Sequence, residues 1–168
     1  MKPKDAARAI DQRVVNLDEI ELQHFEKGDK FACDAARIGP LLGAKDLGYS
    51  YDVVQPGKRS CPFHSHHAEE EMFFILRGTG TLRYGTETRK IRAGDVICGP
   101  TGGPDTAHQI VNDSSEELAY LSVSTMKPAE ICEYPDSKKV GAFGGAGTQR
   151  LRHMTPAASG VDYWKDEA

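Results

Sequence analysis

The chain has 168 residues, 27% of them charged, and a formal net charge of -4, which suits one domain with a full hydrophobic core. No block of basic residues is present to meet a phosphate backbone or anionic lipid, so neither nucleic acid nor membrane is an expected partner. The start lacks the apolar stretch of a secretory signal, and the longest apolar run, Met72 to Leu76, is far too short to span a bilayer; a cytoplasmic protein is the expectation. Cys33, Cys61, Cys98 and Cys132 are widely spaced without a Cys-x-x-Cys pair, so four reduced thiols are expected.

Residues 1–45 contain the amphipathic pieces Val14 to Leu17 and Phe31 to Ile38, which predict an N-terminal extension adding strands to a sheet edge. Leu47 to Val54, Met72 to Leu76, Thr79 to Tyr84, Asp95 to Cys98, His108 to Asn112 and Leu118 to Val123 follow, each short and rich in aromatic or β-branched residues. Gly57, Gly78, Gly80, Gly85, Gly94 and the run Asn112 to Ser115 punctuate them. Such spacing predicts an all-β sandwich or barrel over 46–126. Both faces of Glu71 to Leu76 are largely apolar, as in a strand lining a barrel on one side and covered by a strand or a second subunit on the other. Residues 127–168 make a C-terminal extension, partly flexible. Its run Gly141 to Gly147 predicts a flexible connection, without the Gly-Lys-Ser/Thr ending of a phosphate-binding loop. Val161 to Trp164 predicts an aromatic cluster tied down against the barrel or a neighbouring subunit.

The chemistry concentrates in His64-Ser-His66-His67-Ala-Glu69-Glu70-Glu71, with His108 further on. Two residues apart on an extended strand, His64 and His66 leave the same face, so both imidazoles can reach one ion. Glu71 meets the start of the apolar strand, which turns its carboxylate inward, with Glu70 as the alternative. His67 points to the opposite face. Imidazole and carboxylate together suit a divalent transition metal: Mn, Fe, Ni, Co, Cu or Zn.

The spacing resembles that of the cupins, whose first motif sets Gly, His-x-His, Glu and Gly in order and whose second sets Gly, Pro-x-Gly, His and Asn. Gly57, His64, His66, Glu71 and Gly78 fill the first, and Gly94, Pro100, Gly102, His108 and Asn112 the second. One extra residue before His64 and a longer loop before His108 depart from the pattern, both where length is tolerated. The resemblance implies a double-stranded β-helix, or jelly-roll barrel, with N- and C-terminal extensions. It implies His64, His66, Glu71 and His108 as metal ligands, a small-molecule substrate, and a homodimer formed through the outer face of Met72, Phe74 and Leu76.

Three functions fit that site. A metal gripping adjacent carbonyl and hydroxyl oxygens of a sugar or sugar phosphate, with a base to move a proton, makes an isomerase or epimerase; no base, and so no catalytic residue, is identifiable in the sequence. A redox metal beside a chelating diol or diketone makes a dioxygenase. A non-catalytic small-molecule-binding cupin is the third reading, because a fold does not settle a reaction. Lys58, Arg59, Arg77 and Arg83 are candidates to meet an anionic substrate at the barrel mouth, although each is more simply a solvated charge. Tyr49, Tyr51, Phe63 and Phe73 are expected in the core, Asn112 as a tie at a strand end, and His24 and His153 as structural residues.

Overall fold

The computed structural model describes residues 13–145 and 150–167. Thirteen strands and one short helix succeed one another: β1 (Gln23–Lys27), β2 (Phe31–Arg37), α1 (Ile38–Leu42), β3 (Leu47–Val54), β4 (Ser65–His66), β5 (Glu71–Arg77), β6 (Thr79–Tyr84), β7 (Glu87–Arg92), β8 (Val96–Gly99), β9 (His108–Val111), β10 (Leu118–Thr125), β11 (Ala129–Tyr134), β12 (Lys139–Gly144) and β13 (Leu151–Pro156). They form antiparallel sheets of order β1-β2-β3-β10-β5-β8, β13-β12-β11-β4 and β7-β6-β9. This is the all-β jelly-roll architecture expected from the strand spacing.

Alternation along the strands decides what is inside. Val54, Phe73, Ile75, Ile97, Leu118 and Tyr120 face inward and form the main core with Ile91 of β7 and Ile110 of β9. Each such side chain contributes about 1.5–3 kcal/mol on leaving water. The opposite face of β3 and β10 carries Tyr51, Val53 and Ala119, covered by Ile38 of α1 and by the N-terminal segment through Val15, Leu17, Ile20 and Leu22.

Two turns show why certain residues stand where they do. Gly78 adopts φ +82°, and a Cβ there would lie 2.3 Å from the Glu117 carbonyl oxygen, so only glycine fits between β5 and β6. Asn112 is fully buried; its Nδ2 donates to the carbonyls of Val54 and Glu116 at 2.8 and 2.7 Å, and its Oδ1 accepts from Ser114 N. The expected tie at a strand end is thus made.

Several expectations need correction. Val14 to Leu17 is not a strand: Asn16 begins a turn closed by Glu19 N to Asn16 O, and Val15 and Leu17 act by packing. The Gly141 to Gly147 run is not simply a loose connection, since Gly141 to Gly144 lie in β12, paired with β11 and β13; residues 146 and 147 lie outside those described. A Cβ on Gly141 would meet the Phe143 ring at 2.9 Å, so glycine there makes room for an aromatic ring. Tyr163 and Trp164 are 82% and 72% exposed and pack edge to face on each other, not against the barrel. The polar strands β1, β7 and β13 have no apolar alternation to reveal them, and all pair through their backbones.

Candidate metal centre

Four side chains from three places in the chain meet at one carboxylate oxygen. Glu71 opens β5, His66 ends the two-residue β4, His108 opens β9, and His64 joins His108 through a reciprocal backbone pair, His64 N to His108 O at 3.2 Å and His108 N to His64 O at 2.8 Å. From Glu71 Oε2 the Nε2 atoms of His108, His66 and His64 lie at 2.8, 3.3 and 3.7 Å. The nearest donor atoms of His64, His66 and Glu71 all lie within 4.8 Å of one another, and the His64 and His108 ring centroids are 5.0 Å apart.

The ring orientations are held from behind. His64 Nδ1 donates to the Pro62 carbonyl at 2.8 Å and His108 Nδ1 to the Thr106 carbonyl at 3.1 Å. Main-chain bonds of this kind leave Nε2 as the inward nitrogen. His66 Nδ1 lies 3.4 Å from the Cys132 thiol and 3.8 Å from Glu130 Oε1. His66 Nε2 is buried with no hydrogen-bond partner among the described residues, an orphan that a cation at the shared focus would satisfy. The residues therefore fit a divalent ion bound by three imidazoles and one carboxylate.

Charge supports the same fit. Burial opposes charging His64 and His66, yet the former's contacts with Cys61 and Glu71 push its pKa up to about 11, and the latter's contacts with Cys132 and Glu71 push it up to about 10. Burial works to raise the Glu71 carboxyl, but the bond from His108 and the close imidazoles of His64 and His66 hold it far below the usual carboxylate range. A buried carboxylate ringed by imidazoles calls for positive charge at its centre, whether protons or a metal.

Other parts of the structure prepare the site where the sequence is silent. Gly99 pairs with Glu71 across β5 and β8, and a Cβ there would sit 2.9 Å from His108 Cε1; the imidazole lies over a bare backbone. Glu130 of β11, buried, accepts from the backbone N–H groups of His67, Ala68 and Glu69 at 2.9, 3.1 and 2.6 Å, which clamps the chain just after His66. Glu69 is buried and accepts from Lys127 N at 2.9 Å, unlike a solvated charge run. Glu70 is exposed and is not the inward carboxylate. His67 pairs with Glu133 at 2.7 Å on the outer side, as the alternation requires.

The cationic candidates at the barrel mouth are engaged elsewhere. Lys58 Nζ donates to Asp29 O, Arg59 lies over Phe31, Arg77 pairs with Glu117, and Arg83 pairs with Asp136 while stacking on Phe63. The cavity that reaches Glu71 has a volume of about 330 Å³ and is lined by Ser50, Ser122, Ser124, Arg37 and Arg150 among others. Beside it, the largely buried Asp52 carboxylate accepts from Ser50 Oγ at 2.7 Å and Ser122 Oγ at 3.0 Å. Burial raises its pKa against those two bonds. Tyr51, Phe63 and Phe73 are buried, as expected, and Tyr49 lines the cavity.

Comparison with known proteins identifies the central barrel. Residues 50–124 match the cupin domain, so the central barrel that carries the four convergent side chains is a cupin domain, as the motif spacing implied. Among curated proteins the chain is 33% identical to auxin-binding protein 1 of Arabidopsis thaliana over 103 residues, covering 57% of this chain and 50% of that one. It is 31% identical to the dimethylsulfoniopropionate lyase DddQ of Ruegeria pomeroyi over 113 residues, covering 66% and 54%. The chain thus spans about half the length of these relatives. Two solved structures share its fold across almost the whole length. A candidate sugar phosphate isomerase of Acidithiobacillus ferrooxidans superposes with TM-score 0.81 at 23% identity, covering 92% of this chain and 98% of that one. A cupin-superfamily sugar phosphate isomerase of Silicibacter pomeroyi superposes with TM-score 0.74 at 22% identity, covering 89% and 97%. Among the described residues no helix is long and apolar enough to cross a membrane.

Proposed function

We propose that this protein is a metal-dependent enzyme acting on an oxygen-rich small molecule, in the manner of a sugar or sugar-phosphate isomerase. The observation that carries the reading is the convergence of His64, His66 and His108 on Glu71, which itself lines a cavity shared with Ser50, Ser122 and Ser124. Those four residues are the proposed ligands. A divalent ion held there supplies Lewis-acid polarisation of a substrate carbonyl or hydroxyl oxygen.

The chain's own groups do the rest. Ser50 and Ser122 line the cavity, and their hydroxyls donate hydrogen bonds to Asp52 Oδ2. Asp52 is therefore the acid-base group, taking a proton from the substrate's carbon framework and returning it to the neighbouring carbon by way of the serine hydroxyls. A carboxyl raised by burial is suited to that exchange. Phe73 and Tyr120, packed edge to face, close the interior below and limit water. Two copies pair through the outer face that exposes Met72 and Val96.

The test is proton exchange in heavy water with metal-reconstituted protein and a panel of aldose and ketose phosphates. Deuterium entering the carbon next to the carbonyl, lost in Asp52→Asn while the metal stays bound, is the expected result. Oxygen consumption with diols and no deuterium incorporation contradicts it and points to a dioxygenase.

A further inference from the structure

We propose that Arg37 and Arg150 form an anion clamp across the mouth of the Glu71 cavity, holding the phosphate or carboxylate of the substrate whose oxygens meet the histidine cluster. The proposal rests on the functional reading above and specifies the substrate class: an oxygen-rich molecule with an anionic group at one end.

Strand register places the two ends of the cavity. Arg37 pairs with Ser50, Ser50 with Ser122, and Ser122 with Phe73, so these four form one row on the inner face of the sheet. Gly48, Ser124 and Glu71 form the adjacent row. Two residues of rise separate the rows by about 7 Å, and three strand steps separate Arg37 from Glu71 by roughly 14 Å on a flat sheet. Arg37 and Glu71, the carboxylate on which the three imidazoles converge, therefore line one hollow from opposite sides. Arg150 reaches the same hollow from the other sheet, immediately before β13.

Among the described residues, Arg77 and Arg83 have carboxylate partners at 2.9 and 2.8 Å, whereas Arg37 and Arg150 stand in no ion pair. They share that lack with Arg13, Arg59, Arg89, Arg92 and Arg152, and differ from these in lining the hollow that holds Glu71. Arg37 acts on the recessed Asp52 only through longer-range charge. Two guanidiniums brought to one hollow from separate sheets repel each other unless an anion lies between them. A guanidinium fork matches a phosphate or carboxylate through paired N–H donors. Ser124, whose hydroxyl among the described residues is engaged only with the Met126 thioether at 3.9 Å, can turn to donate to the same anion. A larger hollow of about 560 Å³ lies beside β6 and β7 with Arg89, Lys90 and Arg92 on its wall. Asp95 and Asp113 share that wall and Lys90 is paired with Asp113, so two of its three cations are offset by carboxylates.

The experiment is calorimetric titration of inorganic phosphate, and separately of acetate, into the full chain, metal-free and metal-loaded, for wild type, Arg37→Gln, Arg150→Gln, the double variant and Arg77→Gln as control. Metal content is measured on every sample. Each single variant is expected to lose about tenfold in phosphate affinity and the double variant more, with metal content unchanged and Arg77→Gln like wild type. A preference for phosphate over acetate assigns a phosphate ester, and the reverse a carboxylic acid; either supports the clamp. Phosphate and acetate both failing to bind wild type, or binding equally well to the double variant, overturns it. Arginine-dependent binding by a wild-type protein that takes up no metal would keep the clamp and remove the metalloenzyme reading.

Discussion

The interior of the barrel and the C-terminal sheet are built on different terms. In the interior, Val54, Ile75 and Leu118 are wholly buried, and strands β3, β10 and β5 pair over their length around them. In the C-terminal sheet, Ile131, Leu151 and Met154 are 46%, 57% and 40% exposed, and backbone pairing does most of the holding. Yet Glu130 and Cys132 stand behind His66 from that sheet, and Arg150 lines the cavity. Stability resides in one region while the positioning of the site is shared by both. Changes at the site should therefore separate from changes in the fold.

The largest effect should come from the focus itself. His64→Ala or His66→Ala is expected to abolish most metal binding and leave a folded barrel, because the core needs no ion; circular dichroism that shows an unfolded variant would make the site structural. Next comes Glu130→Ala, which strips three backbone N–H groups of a buried carboxylate partner. It should cost about 3 kcal/mol in denaturant unfolding and roughly tenfold in metal affinity by freeing the segment after His66. A stability loss with unchanged metal affinity would show that the C-terminal sheet does not position the site. Gly99→Ala should be milder: the His108 ring must shift by a few tenths of an ångström, and competition with a chelator should reveal weaker metal retention with a near-native melting curve. His67→Ala is the smallest, since its half-exposed pair with Glu133 is worth about 0–1 kcal/mol. A large loss of metal there would mean that alternate faces of β4 had been exchanged.

The central strands and the four proposed ligands were legible because local patterns carry them. Leu47–Val54 and Thr79–Tyr84 match their predicted spans, and the histidines stand in register with turn glycines. What stayed hidden depends on pairing between distant segments. Nothing near Arg37 or Arg150 announces a cavity; their convergence follows from the register of β2 on β3 and the return of β13. Asp52 reads as one more polar position on a strand until Ser50 and Ser122 are seen bonded to it. Gly99 matters because it lies opposite Glu71 and beneath His108. Glu69 and Glu130 belong to a charge run and a polar strand, and only burial reveals them. The C-terminal aromatic pair was the reverse case: Tyr163 and Trp164 have the composition of an anchor but pack on each other in the open.

The most direct test of the metal centre is plasma mass spectrometry of untagged protein beside a His64→Ala, His108→Ala variant purified identically. About one transition-metal ion per wild-type chain, lost in the variant, is the predicted result. No metal in either, even after reconstitution, would contradict the account and leave a barrel that binds small molecules without an ion.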